Sequence, residues 1–260
     1  MQYKCLMAVL FFAAVLIIPA ASQAAHPLIT DDTGTQGKGN FQLELNGQYD
    51  SDKEYVDGAA VKNTGGKLAA TLSYGIAENV DLVLNLPYQW GKTEENEATA
   101  SDEKGISDTV LEAKWRFLEK DGFSLALKPG IRFPTGNDEK GLGAGKVGGH
   151  IFLIGSKELG IWAFHANLGY IRNENKADEQ KDIWHASLAA TCQIIKSLKL
   201  TANIGIERDP DDNAKNNPAF LISGLIYSVT EKIDLDCGVK YGLTSSETDY
   251  SLLAGITIRF

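Results

Sequence analysis

From about residue 40 to the last residue, apolar and polar positions alternate with a period of two, the mark of strands with one wet and one apolar face. Phe41, Leu43, Leu45 and Tyr49 alternate with Gln42, Glu44, Asn46 and Gln48. Leu68, Ala70, Leu72 and Tyr74 alternate with Lys67, Thr71 and Ser73, and Val80 to Tyr88 make a third run. Comparable runs follow at 111–117, 123–133, 162–170, 184–193, 198–206, 233–241 and 250–260. Two more are strand-like without declaring a wet face: 147–155 is ambiguous, and 218–228 is apolar on both sides. The runs number twelve, an even count.

The connections alternate between long and short. Residues 50–66, 89–108, 134–146, 173–182, 207–216 and 242–249 are long and polar, whereas 77–79, 118–122, 156–160, 195–197 and 229–232 are tight turns. A transmembrane barrel has long loops outside and short periplasmic turns; a soluble sandwich has no reason to keep that rhythm. Aromatic residues gather at both ends of the runs, with Tyr74, Phe117, Phe123 and Trp162 beside short turns and Tyr49, Tyr88, Trp90, Tyr170 and Trp184 beside long loops. Such girdles mark the two membrane interfaces, and only Trp115 falls nearer mid-run. The prediction is all-β: a single 12-stranded antiparallel transmembrane β-barrel over residues 40–260, with long extracellular loops and short periplasmic turns. Closure is required because an open edge would leave backbone groups unpaired in hydrocarbon.

Residues 1–24 read as a cleaved signal peptide: Lys4 is basic, Cys5 to Ile18 is almost wholly apolar, and Ser22-Gln23-Ala24 fits a small-x-small cleavage site. Residues 25–39, polar and rich in glycine, are expected at the periplasmic end and are candidates for a plug that enters the lumen.

Composition adds exclusions. At 43% hydrophobic over 260 residues, nothing after the leader approaches the roughly 20-residue apolar run of a membrane helix, and a net charge of −9 argues against nucleic acid. Cys192 and Cys237 fall three strands apart, roughly 14 Å at strand spacing, too far for a disulfide. No phosphate loop, dinucleotide fingerprint or zinc spacing appears, so no cofactor or metal is expected. Asp209, Asp211 and Asp212 make one outer loop acidic; such runs are ordinarily solvated, but could also share divalent cations with lipopolysaccharide phosphates.

The inward face carries the chemistry. Alternation sends Lys67, Lys114, Arg116, Lys128, Arg132, Lys199, Lys240 and Arg259 into the lumen, opposed by Glu44, Asp81, Glu112, Asp234 and Asp236, with His165 on the same face. Eight strands leave room for side chains alone and about 16–18 leave an aqueous pore, so twelve suit a narrow or gated channel. The alternative is a barrel whose charges neutralise and fill it, a structural or adhesive protein that works through its loops. A lipid-modifying enzyme ranks third: His185 and Ser187 share a face, but no motif supplies the third polar group of a hydrolytic centre.

Two stretches carry a resemblance. Leu252 to Phe260 is similar to the closing strand of bacterial outer-membrane proteins, whose terminal aromatic, here Phe260, is the signal for the barrel-assembly machinery. His26-Pro27-Leu28-Ile29-Thr30-Asp31-Asp32-Thr33-Gly34, continuing through Gly39 into Phe41 to Asn46, resembles the opening of the "MetA-pathway of phenol degradation" family. Gly105-Ile106-Ser107-Asp108 and Pro134-Thr135-Gly136 are similar to turns of that family. The resemblance implies a Gram-negative outer-membrane barrel, in contact with bilayer and lipopolysaccharide, that passes small, often hydrophobic or aromatic, molecules. It implies no binding residues and leaves the oligomeric state open.

Overall fold

The computed structural model describes residues 26–56 and 59–260; the expected signal peptide lies outside the described residues. Among the described residues thirteen strands follow one another: β1 Phe41–Val56, β2 Ala59–Ala77, β3 Val80–Glu95, β4 Ala98–Ile106, β5 Thr109–Lys120, β6 Phe123–Phe133, β7 Gly148–Leu159, β8 Trp162–Arg172, β9 Asp182–Ile195, β10 Leu198–Glu207, β11 Ala219–Ser228, β12 Ile233–Gly242 and β13 Tyr250–Arg259. Each pairs antiparallel with its neighbours, and β1 pairs with both β2 and β13, which closes the sheet. Phe260 completes the seam, its N–H donating to the Phe41 carbonyl at 2.9 Å.

Thirteen strands make twelve staves. β3 pairs with β5 over Val80–Asn85 and with β4 over Tyr88–Glu95, so β4 and β5 are one stave interrupted at Ser107-Asp108. The expectation of loops at 50–66 and 89–108 needs correction: β1–β2 and β3–β4 run on as paired hairpins past the apolar band. Both faces of these extensions are wet, so the alternation that marks a strand vanishes while the backbone ladder continues. Asn96 and Glu97, at φ 47° and 69°, turn the second hairpin with the two left-handed residues that a tight type I′ connection requires.

Burial is inverted relative to a soluble protein. Leu168, Leu188, Ile204 and Leu235 point outward and lie open, whereas Asp81, Asn203, Ser251 and Thr257 are fully buried inside. Such an exterior suits lipid, where exposed apolar surface is already solvated. The two undecided runs also resolve. Ile151 and Leu153 face out, while Ile154 is buried inside. On β11, Leu221, Leu225 and Tyr227 face out, while Phe220 and Ile222 pack inside against Leu253. Cys192 and Cys237 are free thiols on β9 and β12.

Candidate functional site in the barrel lumen

Ahead of β1 the chain turns back into the barrel and travels around its inner wall. It starts at the periplasmic rim, where Gly37 lies so close to Gly75 that a Cβ at Gly75 would overlap the Gly37 carbonyl. The Gln36 N–H then donates to Asp81 at 3.0 and 3.1 Å, and the Thr35 hydroxyl to the Glu78 carbonyl at 2.9 Å. Thr33 meets Ser124 on β6 at 2.5 Å and Ser156 on β7 at 3.2 Å. The backbone of Asp31 pairs with the carboxamide of Asn167 on β8 at 2.7 and 2.9 Å. Asn203 on β10 accepts from the N–H groups of Ile29 and Thr30 at 2.8 and 3.1 Å, and donates to the Thr30 hydroxyl at 2.7 Å. Pro27 packs over Gly224 and Gly238, and His26 bonds Asp236 on β12. Residues 26–37 thus pass nearly all the way round the inner wall, with Pro27 and Thr30 fully buried.

Polar wall residues make this path specific. A segment without regular structure carries backbone donors that must find partners once away from water. Asn203 and Asn167 present a donor and an acceptor each, which suits an extended chain. Alternation places both on the wet face, but only the three-dimensional path identifies their partners.

One charge chain ties the segment to the wall. Asp31 bridges Lys114 on β5 at 2.8 Å and Lys128 on β6 at 3.1 Å; Lys128 also meets Glu112 at 3.0 Å, and Glu112 meets His150 at 2.8 Å. Burial disfavours the charge on Asp31, yet the two lysine ammonium groups outweigh it and hold this carboxyl well below the usual carboxylate range.

The other sequence-predicted lumen residues lie as follows. Glu44 and Lys67 border the cavity described below, and Asp81 holds Gln36. Arg116 pairs with Glu119 at 3.2 Å near the periplasmic end, and Arg259 pairs with Asp234 at 2.7 Å. Lys199 lies on the inner face of β10, and His165 bonds Ser156 at 2.9 Å. At the outer end Arg132 donates to Asn173 and the Glu174 carbonyl at 3.0 and 2.9 Å, and Lys240 pairs with Glu247 at 2.8 Å. His185 joins Ser187 at 2.9 Å and Glu207 at 3.0 Å, but His185 and Ser187 are both buried and neither borders the inner or the outer cavity described below.

Cavities lie beside these residues, an inner and an outer one. The inner one, about 440 Å³, lies between residues 26–36 and the wall of β1–β3 and β5–β7; the outer one, about 660 Å³, opens between the extended hairpins and residues 139–142. Lys67 borders both. The outer loop is held by Asp108, which accepts from the N–H groups of Gly136 at 3.0 Å and Ala144 at 2.8 Å, while Thr135 bonds Ser107 and Thr109. Trp90, expected in the outer girdle, packs across Gly66 and borders the outer cavity.

A closed twelve-stave sheet with an apolar exterior and a polar interior is a transmembrane β-barrel of the outer-membrane type. The family model "Putative MetA-pathway of phenol degradation" matches residues 30–260, and the chain belongs to that family. No curated protein sequence matches it. Among solved structures it is similar to the COG4313 outer membrane channel from Pseudomonas putida F1, at 17% identity and a TM-score of 0.67 over 88% of this chain and 98% of that one. The NanC porin aligns at 12% identity and 0.54 over 83% and 98% of the two chains. The translocator domain of autotransporter NalP from Neisseria meningitidis aligns at 16% and 0.52 over 86% and 89%.

Proposed function

We propose that the chain is an outer-membrane channel for passive passage of a small molecule, with residues 26–39 as its plug. The observation that carries this reading is the pair of cavities meeting at Lys67, closed off below by a segment bound through polar contacts alone on most of its path. Polar contacts exchange with water at little net cost, so such a segment can leave without unfolding the wall. The family description names phenol degradation, which favours a small aromatic solute with a polar group, and the largely polar lining of the inner cavity suits one. In this reading the leader is removed on export, Phe260 is read by the assembly machinery, and acidic loop 207–216 shares divalent cations with lipopolysaccharide.

Planar-bilayer recording tests the channel. The refolded chain should conduct in small steps, conduct more without residues 26–39, and change its ion preference when Lys128 and Arg132 become Glu. A barrel that is silent with and without the segment would sink the channel reading and favour an occluded barrel that acts through its loops. Separately, washing membranes with EDTA should release the protein if divalent cations bridge its loops to lipopolysaccharide; unchanged retention would count against that contact.

A further inference from the structure

The inner wall made by β12, β13 and β1 holds a group of hydrogen-bond acceptors with nothing to accept from. The Asp236 side chain is 1% exposed; its Oδ1 takes His26, and its Oδ2 has no partner among the described residues. The Asn46 Oδ1 and Gln42 Oε1 atoms are likewise buried and unpaired. Between them, Glu44 receives only the carboxamides of Gln42 at 2.7 Å and Asn46 at 3.4 Å, with no ion pair among the described residues.

Sheet register explains why these oxygens meet. Asn46, Gly255 and Asp236 stand side by side across β1, β13 and β12. In the adjoining row Glu44, Thr257 and Asp234 are neighbours, and Asp234 is already satisfied by Arg259. Gly255 leaves the middle of the first row open: a Cβ there would stand 2.5 Å from Asp236 Oδ2, 2.6 Å from Asn46 Oδ1 and 2.7 Å from His26 Nδ1. Both orphaned oxygens therefore lean over one glycine, within reach of a single donor group. His26, Gln42, Glu44 and Asn46 all border the inner cavity, so the niche opens onto it.

Buried acceptors without donors are costly, a carboxylate oxygen most of all. The complement to a carboxylate oxygen and an amide oxygen over one glycine, with the Glu44 carboxylate in the next row, is a compact cation with several N–H donors, which describes a primary ammonium with three. We propose that this niche binds a primary ammonium group. Two sources share that chemistry. One is the chain's own terminus: cleavage after Ala24 would leave Ala25 first, one residue, about 3.8 Å between Cα atoms, upstream of the His26 that Asp236 holds. The other is an amine-bearing solute in the inner cavity. The proposal rests on residues 26–36 acting as the plug.

Hydrogen exchange at the amides of Ile29, Thr30, Thr33 and Gln36 tests it, because exchange reports docking of the segment whether or not the barrel conducts. Asn46→Leu is the informative variant, since it leaves the His26–Asp236 contact intact. Removing an idle acceptor should slow exchange or leave it unchanged, whereas removing one that holds an ammonium should speed it roughly tenfold or more. If the source is the terminus, two extra residues, Gly-Ser, placed before Ala25 should speed exchange similarly, and Asn46→Leu should add nothing further. If the source is a solute, the extension is neutral. Millimolar ethylammonium chloride then slows exchange in the native chain, not in Asn46→Leu, and sodium chloride at equal ionic strength does nothing. Exchange indifferent to extension, ethylammonium and Asn46→Leu overturns the proposal, as does reproduction of the effect by sodium alone. Silent bilayers with these exchange effects intact would sink only the channel.

Discussion

Asp31 is the side chain on which docking of the N-terminal segment turns. It is the anion between Lys114 and Lys128, and Asp31→Asn would leave Lys128 with Glu112 and Lys114 with only the Asp32 carbonyl at 3.1 Å. Breaking a buried ion pair from one side costs roughly 3–5 kcal/mol. The variant should lose exchange protection at Ile29 and Thr30 by at least two orders of magnitude and conduct more in bilayers, while its folded barrel still resists heat in gel-shift assays. Dependence on pH follows from the same group. The carboxyl is held below its ordinary value when docked, so its contribution is complete above the ordinary carboxylate pKa, about 3.9, and is lost only as pH falls through the lower docked value. Conductance, and exchange protection measured against the intrinsic amide rate at each pH, should therefore match at pH 7 and pH 5; a barrel that opens between them would place the switch elsewhere.

At the level of elements, the outer mouth is organised by the break between β4 and β5. Asp108 stands in that break and gathers loop 134–146 through two backbone N–H groups, and Thr135 bridges back to Ser107 and Thr109. Asp108→Ala would strand both donors, at about 1–3 kcal/mol. The expected outcome is faster proteolysis within 134–146 and noisier single-channel current, with residues 26–36 as protected as before. Gly75 offers a second test from the other rim. Its Cα lies against the Gly37 backbone, so Gly75→Val should displace the root of the segment and raise conductance while β1 and β2 stay paired. The two short motifs that meet at the outer mouth are visible in the chain, but their pairing is not, because 28 positions and the whole β5–β6 hairpin separate Asp108 from Gly136.

The molecule as a whole is an inside-out protein whose stability depends on lipid around Leu168, Leu188 and Ile204. Leu188, midway along β9 and 60% exposed, samples the centre of the apolar band. Leu188→Arg should cost about 2–4 kcal/mol in urea titrations of the barrel refolded in lipid, the range for a cation at the bilayer midplane. A cost near zero would mean that this face does not meet hydrocarbon.

Alternation by itself determined twelve staves, their order, which face of ten of them is wet, and the seam that ends in Phe260, because strand periodicity and turn length are local properties. It was silent wherever both faces share one solvent. The extended hairpins are wet on both sides and read as loops; β7 and β11 are apolar on both sides because Ile154, Phe220 and Ile222 pack inside. The tertiary structure alone decided which inward residues touch which. Asn203 meets Thr30, Lys128 meets Asp31, and Asn46 meets Asp236 across Gly255, since closing the sheet sets side by side residues that are up to about two hundred positions apart. Periodicity tells where a side chain points; register and the path of residues 26–39 tell what it finds there.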